Sequence, residues 1–220
     1  MSTSFTDDLR EASEPTWTRA VQHRFVAELH DGSIPDEAMA GYLIQDHRFL
    51  DSFLVLLGAG IAEAPTFEAR LRLSQFVGEV AGDENTYFLR AFESLGVSEH
   101  DRATVPDTLA TTGFTTIFRE AAETRDYAAI LAVLVVTEWL YHDWAAAAPD
   151  PRPSSFVHSE WIDLHDNPDF AGFVNFLHAE LDAAGPGSPE RAREFFERTV
   201  ALELDFFEQS YLHPFTGEAR

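Results

Sequence analysis

Glu138 is the first residue that suggests chemistry. It lies in the run Tyr127-Ala-Ala-Ile-Leu-Ala-Val-Leu-Val-Val-Thr137-Glu138-Trp139-Leu140-Tyr141-His142-Asp143-Trp144. A helix that is apolar nearly all round is buried by neighbours on several sides. An ionised carboxylate in such surroundings is costly unless paired or hydrogen-bonded, so its pKa rises, and a raised pKa is what a general acid or base needs near neutral pH. The structural alternative is that Glu138 pairs with a buried Arg or reaches the end of the helix packing, because structural ion pairs perturb pKa values too. Two other segments repeat its pattern of an acid followed three residues later by a ring: Asp46 with Phe49 and Glu203 with Phe206, beside Glu138 with Tyr141. A spacing of three puts acid and ring on one helix face, so three such helices packed together would line a pocket with carboxylates among aromatic walls. In a chain this acidic and aromatic such pairs also arise by chance.

The elements that must position these residues are helices. A first helix is expected from Pro15 to His30, ending at Asp31-Gly32, and a long one from Ser33-Ile-Pro-Asp-Glu through Ala64 to the stop at Pro65. A third spans Thr66 to Leu95, with a bend at Gly78 or Gly82 and a cap at Gly96. A short capped turn at Ser98–Ala103 is followed by helices at Leu109–Thr124, from the cap Asp126 to Ala148, at Ser159–His165, at Pro168–Ala184, and from the cap Ser188 to Tyr211. Alternating β-branched runs are missing. The expectation is an all-α bundle of seven or eight helices forming a single domain over residues 1–220.

Composition narrows the function classes. Hydrophobic residues make up 45% and aromatics 13%, so the net charge of -23 sits on a folded body. All 15 basic residues are Arg, with no Lys. Carboxylates keep a protein dispersed in concentrated salt, where the Debye length shrinks to about 3 Å at 1 M and their mutual repulsion fades. The balance reads as the high-salt cytosol of a halophile; the competing reading, an acidic protein with a basic partner, does not explain the missing Lys. No basic patch is visible for nucleic acid. The absence of Cys excludes disulfides, thiolate metal sites and a Cys nucleophile. Met1 to Glu14 is polar and acidic, without the apolar core of a signal peptide. The longest uncharged apolar stretch, Tyr127 to Thr137, is short of the ~18 residues of a membrane span. A cytoplasmic protein with no membrane partner is expected.

Several segments together resemble the TenA (thiaminase II-like) family: Ile44-Gln45-Asp46-His47-Arg48-Phe49-Leu50, then Ala129 through Thr137-Glu138-Trp139-Leu140-Tyr141, then Glu160-Trp161-Ile162, and the acidic-aromatic last helix around Glu203. They come in the family's order, over almost the whole chain. The resemblance implies a heme-oxygenase-like bundle that holds an aminopyrimidine derived from thiamin, needs neither cofactor nor metal, and assembles as a homodimer or homotetramer. In the familiar branch a Cys attacks the pyrimidine; here Thr137 stands in its place with Glu138 beside it, as in the Cys-less, Glu-bearing branch that salvages aminomethyl or formylaminomethyl pyrimidines. Carried over, Asp46 accepts hydrogen bonds from the ring's 4-amino group, Phe49 and Phe114 stack on the ring, Glu203 protonates a ring nitrogen, and Glu138 is the base that activates water or else the nucleophile. Tyr141 and His165 face the leaving group, with Phe114 and His165 standing where the family often has Tyr.

Other chemistries fit the residues less well. Glu138 and His142 are one turn apart and Asp46 adjoins His47, but the paired Glu-x-x-His spacing of di-metal carboxylate bundles is absent, and Glu84 is followed at the fourth position by Phe88 where a ligand would be needed. His23 and His30 are the candidates for an axial haem ligand. A non-catalytic pyrimidine-binding protein would keep most of the same residues, so only activity separates it from an enzyme.

Overall fold

The computed structural model describes residues 4–217; the ends of the expected domain, residues 1–3 and 218–220, lie outside that range. Helices dominate, and no strand occurs among the described residues. The chain opens with α1 (Phe5–Ala12), α2 (Thr16–Val21), α3 (Arg24–Asp31) and the long α4 (Asp36–Glu63). Next come α5 (Phe67–Glu79), a π-helical turn at Val80–Glu84, α6 (Asn85–Ser94) and the short α7 (Glu99–Thr104). α8 (Leu109–Thr124), α9 (Tyr127–Ala146), α10 (Phe156–His165), α11 (Pro168–Ala184) and α12 (Pro189–Leu212) complete the bundle.

Side-chain caps set many of the starts, because the first turn of a helix leaves backbone N–H groups without partners. Thr66 accepts from Ala69 N–H, Thr108 from Thr111 N–H, Asp126 from Ala128 N–H, and Asn167 from both Asp169 and Phe170. Ser98 and Asp101 close a reciprocal capping box at α7. Ser188 departs from expectation: its hydroxyl donates to Asp126 at 2.8 Å rather than capping α12, which ties the starts of α9 and α12 together.

The bundle is the one expected, but its segments are finer. The first expected helix is broken between α2 and α3, where His23 is extended and its Nδ1 accepts from Phe25 N–H, restarting the helix. Gly32, at φ 75°, closes α3 in the left-handed conformation that favours glycine. α1 falls in a segment read from sequence only as polar; Thr6 N–H donates to Asp182 at 2.8 Å, and Leu9 is buried. The expected bend in the third helix is the π-helical turn, with Gly82 at its centre.

α9 is the axis of the molecule, packed by α2, α4, α8, α10, α11 and α12. Every residue from Ala129 to Val136 is fully buried. By length and composition α9 could cross a membrane, since the helix extends past the uncharged stretch, yet 78% of its most apolar window is buried inside the protein. Gln45 fastens α4 to the start of α8: its amide donates to Pro106 O at 2.9 Å, and its oxygen accepts from Thr108 N–H at 3.1 Å and Thr111 Oγ1 at 2.6 Å.

Candidate functional site

A cavity of about 380 Å³ opens where α4, α8, α9, α10 and α12 meet the π-helical turn. Asp46 reaches it from α4, Glu138 from α9 and Glu203 from α12. These carboxylates are 4%, 7% and 2% exposed, a burial that side chains of this kind rarely show without ion partners. Asp46 Oδ2 and Glu203 Oε2 have no hydrogen-bond partner. Glu138 Oε1 accepts from the neighbouring Thr137 hydroxyl at 3.1 Å.

Burial is the main force on all three. Desolvation lifts Asp46 well above its usual range, repulsion from Glu84 adds to it, and a hydrogen bond from Tyr42 opposes it. Desolvation likewise raises Glu138, reinforced by Glu84, Asp46 and Glu79 against the Thr137 hydrogen bond. Glu203 is raised by desolvation and then by Asp46 and Glu138. No arginine lines the cavity to offset these charges. Groups that repel one another in this way titrate as a set, and each carboxyl makes its neighbours harder to ionise.

Aromatic rings form the walls. Phe49 and Phe114 face each other with centroids 5.0 Å apart, and Phe118 stands 5.7 Å from Phe49. Tyr141 shares a 2.7 Å hydrogen bond with Tyr42, which is fully buried behind it. His165 Nδ1 lies 2.8 Å from Trp161 O, an acceptor, so Nδ1 carries the proton and Nε2 is left to accept. Burial lowers the His165 pKa to about 4, keeping the ring neutral at physiological pH. Thr137 Oγ1 is within 3.3 Å of Val133 O, 3.1 Å of Leu134 O and 3.1 Å of Glu138. Its single proton is therefore shared between the carbonyls of its own helix and the Glu138 carboxyl.

Of the residues singled out from sequence, Asp46, Phe49, Phe114, Thr137, Glu138, Tyr141, His165 and Glu203 all line this cavity. Phe206 does not. It sits behind the wall, 5.4 Å from Phe49 and 5.7 Å from Phe114. Packing against Tyr42 at 5.1 Å, together with these two rings, takes Phe206 into the core, where it is 2% exposed. Among the described residues, no group of three or more His, Asp or Glu is arranged to hold a metal ion.

A profile of the TENA/THI-4/PQQC family matches residues 10–213. The chain belongs to this family. Among its TENA/THI-4/PQQC relatives, it is 23% identical over 211 residues to the aminopyrimidine aminohydrolase of Bacillus subtilis (strain 168), covering 94% of this chain and 89% of that one. A TenA homologue from P. horikoshii OT3 superposes with a TM-score of 0.86 at 22% identity, covering 96% of this chain and 100% of the other. A TenA family transcription regulator from Silicibacter sp. TM1040 superposes at 0.82, also at 22% identity, with 94% and 96% coverage. At these identities the superpositions establish the shared fold alone.

Sequence reasoning did not assign a site role to Glu84, which the π-helical turn carries to the cavity wall along with Asp83. A signal was available: Tyr87 follows Glu84 by three residues, the same acid-and-ring spacing used to select Asp46, Glu138 and Glu203. Trp161, read from sequence only as a landmark, is also a wall residue, stacked on Tyr87 at 5.1 Å and edge-on to Tyr141 at 6.3 Å.

Proposed function

We propose that this protein hydrolyses an aminopyrimidine of thiamin salvage, converting an aminomethyl or formylaminomethyl pyrimidine to the hydroxymethyl compound by carboxylate acid/base catalysis. The observation that carries this reading is the convergence of Asp46, Glu138 and Glu203, from three helices, on one ring-lined cavity. A neutral aminopyrimidine needs an acid on a ring nitrogen and an acceptor on its amino edge, and these carboxyls can supply both because they do not all ionise together. Phe49 and Phe114 offer apolar faces to the ring.

In this scheme Glu203 donates its proton to the ring nitrogen, which draws electrons from the exocyclic carbon. Asp46 accepts from the 4-amino group and fixes the ring's orientation. The bond from the exocyclic carbon to the leaving nitrogen breaks, and for an aminomethyl substrate bound with its amine already protonated the departing group is neutral ammonia. Glu138 takes a proton from water as the new carbon–oxygen bond forms, and Tyr141 and His165 line the side from which the leaving group departs. Thr137 holds the Glu138 carboxyl by its hydrogen bond rather than attacking.

The reading extends to the whole protein's setting: a cytosol rich in salt, supported by the lysine-free acidic composition, and assembly with copies of itself as a dimer or tetramer. Leu54 and Val55 on α4 and Phe67 and Leu71 on the adjoining α5 are large exposed apolar side chains that support such assembly.

The test is turnover in molar KCl. The wild type should release hydroxymethylpyrimidine, and Glu138→Gln should lower kcat by roughly 10²–10⁴-fold, the usual worth of a general base, with pyrimidine binding changed only a few-fold. Binding without turnover in the wild type would leave a pyrimidine-binding protein instead.

A further inference from the structure

We propose that Glu84 determines specificity by reading a positive charge: it receives the ammonium group of a protonated aminomethyl substituent, so that the cavity selects cationic amines over neutral amides and alcohols. The inference rests on the pyrimidine reading above and adds to it the charge of the preferred substrate.

The first observation is the backbone that presents Glu84. A π-helical turn interrupts the ladder between α5 and α6, a departure that is rare and concentrated at functional sites because it sacrifices regular hydrogen bonding. Leu73 and Phe76 before it and Tyr87 and Phe88 after it are all buried in the core, and between them the turn directs Asp83 and Glu84 to the cavity. Among the described residues the Glu84 side chain makes no hydrogen bond or ion pair, and burial is the one influence on its acidity.

The second observation is what Glu84 faces. Beyond Asp46, Glu138 and Glu203, the wall contains Glu79, Asp83 and Asp169, and no arginine. Asp46 Oδ2 and Glu203 Oε2 are buried and unpartnered. His165 contributes no charge, since its Nδ1 proton is committed to Trp161 O and burial keeps the ring neutral. A chamber walled by carboxyls and rings, without a resident cation, favours a ligand that brings the cation. Burial holds the Glu84 pKa at about 7, so an arriving ammonium would complete its ionisation. Half-buried at the wall, Glu84 keeps access to solvent that the three deeper acids lack.

The experiment compares calorimetric binding of 5-aminomethyl-4-amino-2-methylpyrimidine with that of its neutral 5-hydroxymethyl counterpart, in wild type, Glu84→Gln and Glu84→Asp. A slow-turnover Glu138→Gln background keeps the amine intact. The amine should bind at least about 10-fold more tightly than the alcohol when Glu84 is present, in line with one desolvated charge pair. Glu84→Gln should abolish that advantage while leaving alcohol binding within about 2-fold, and Glu84→Asp should restore part of it. Equal binding of the two ligands with Glu84 present, an advantage that persists in Glu84→Gln, or loss of the neutral ligand in that variant would each overturn the inference while the pyrimidine reading stands. If neither pyrimidine binds with Glu84 intact, the pyrimidine reading fails and this inference falls with it.

Discussion

Glu203 is a single acid whose burial in the cavity costs stability. Its ordinary pKa of 4.5 is raised by folding, so the folded protein holds a proton that the unfolded chain releases. The sign follows: the carboxyl is harmless below about pH 4.5 and increasingly destabilising as the pH rises toward its folded value. Glu203→Gln keeps the shape and removes the ionisable group. Its melting temperature should therefore exceed the wild type's at pH 7, with a gain that shrinks toward pH 5. A variant that melts lower at pH 7, or a difference that ignores pH, would show that Glu203 is not held as a buried acid. Asp46, Glu138 and Glu203 were legible in the sequence because each sits in an otherwise regular helix with a ring three residues on. Glu84 shares that spacing, but its path to the cavity depends on a π-helical turn, which helical periodicity does not register.

At the scale of elements, position is set by a few buried polar contacts between helices that are otherwise joined by apolar packing. Gln45 is the clearest of these. Replacing it with Leu would leave Thr108 N–H and the Thr111 hydroxyl without their shared acceptor in the interior, and would free the start of α8, the helix that carries Phe114. Gln45→Leu should lower stability by about 2–3 kcal/mol, or roughly 4–10 °C, by thermal melting. A change under 1 °C would mean that the α4–α8 junction holds without this network. The expected ranges of α8 and α11 match the observed ones residue for residue, because their starting caps and their breaks are local signals. The division into α2 and α3 was not legible: it turns on His23 adopting an extended backbone and capping Phe25, while His23 also meets Glu208 on α12 at 3.0 Å, a contact made only in the folded bundle.

For the whole molecule, charge and cavity work under one constraint. A net charge of -23 with no Lys makes the folded state repel itself, and screening relieves that repulsion. Melting temperature should rise by more than about 10 °C between 0.1 M and 2 M KCl; a flat or falling profile would separate this protein from a high-salt setting. The fold class was readable because caps, breaks and the apolar α9 all agree, and the core of the molecule is built around that helix. Most of the side chains lining its cavity were readable as a set, while the cavity's shape, including the retreat of Phe206 behind Phe49, required the packed structure. The most direct measurement is a crystal structure of Glu138→Gln with 5-aminomethyl-4-amino-2-methylpyrimidine. The account predicts the ring against Phe49 and Phe114, its amino edge on Asp46, a ring nitrogen on Glu203 and the aminomethyl carbon toward residue 138. A ring bound outside this cavity, or inside it with neither Asp46 nor Glu203 in hydrogen-bond contact, would contradict it.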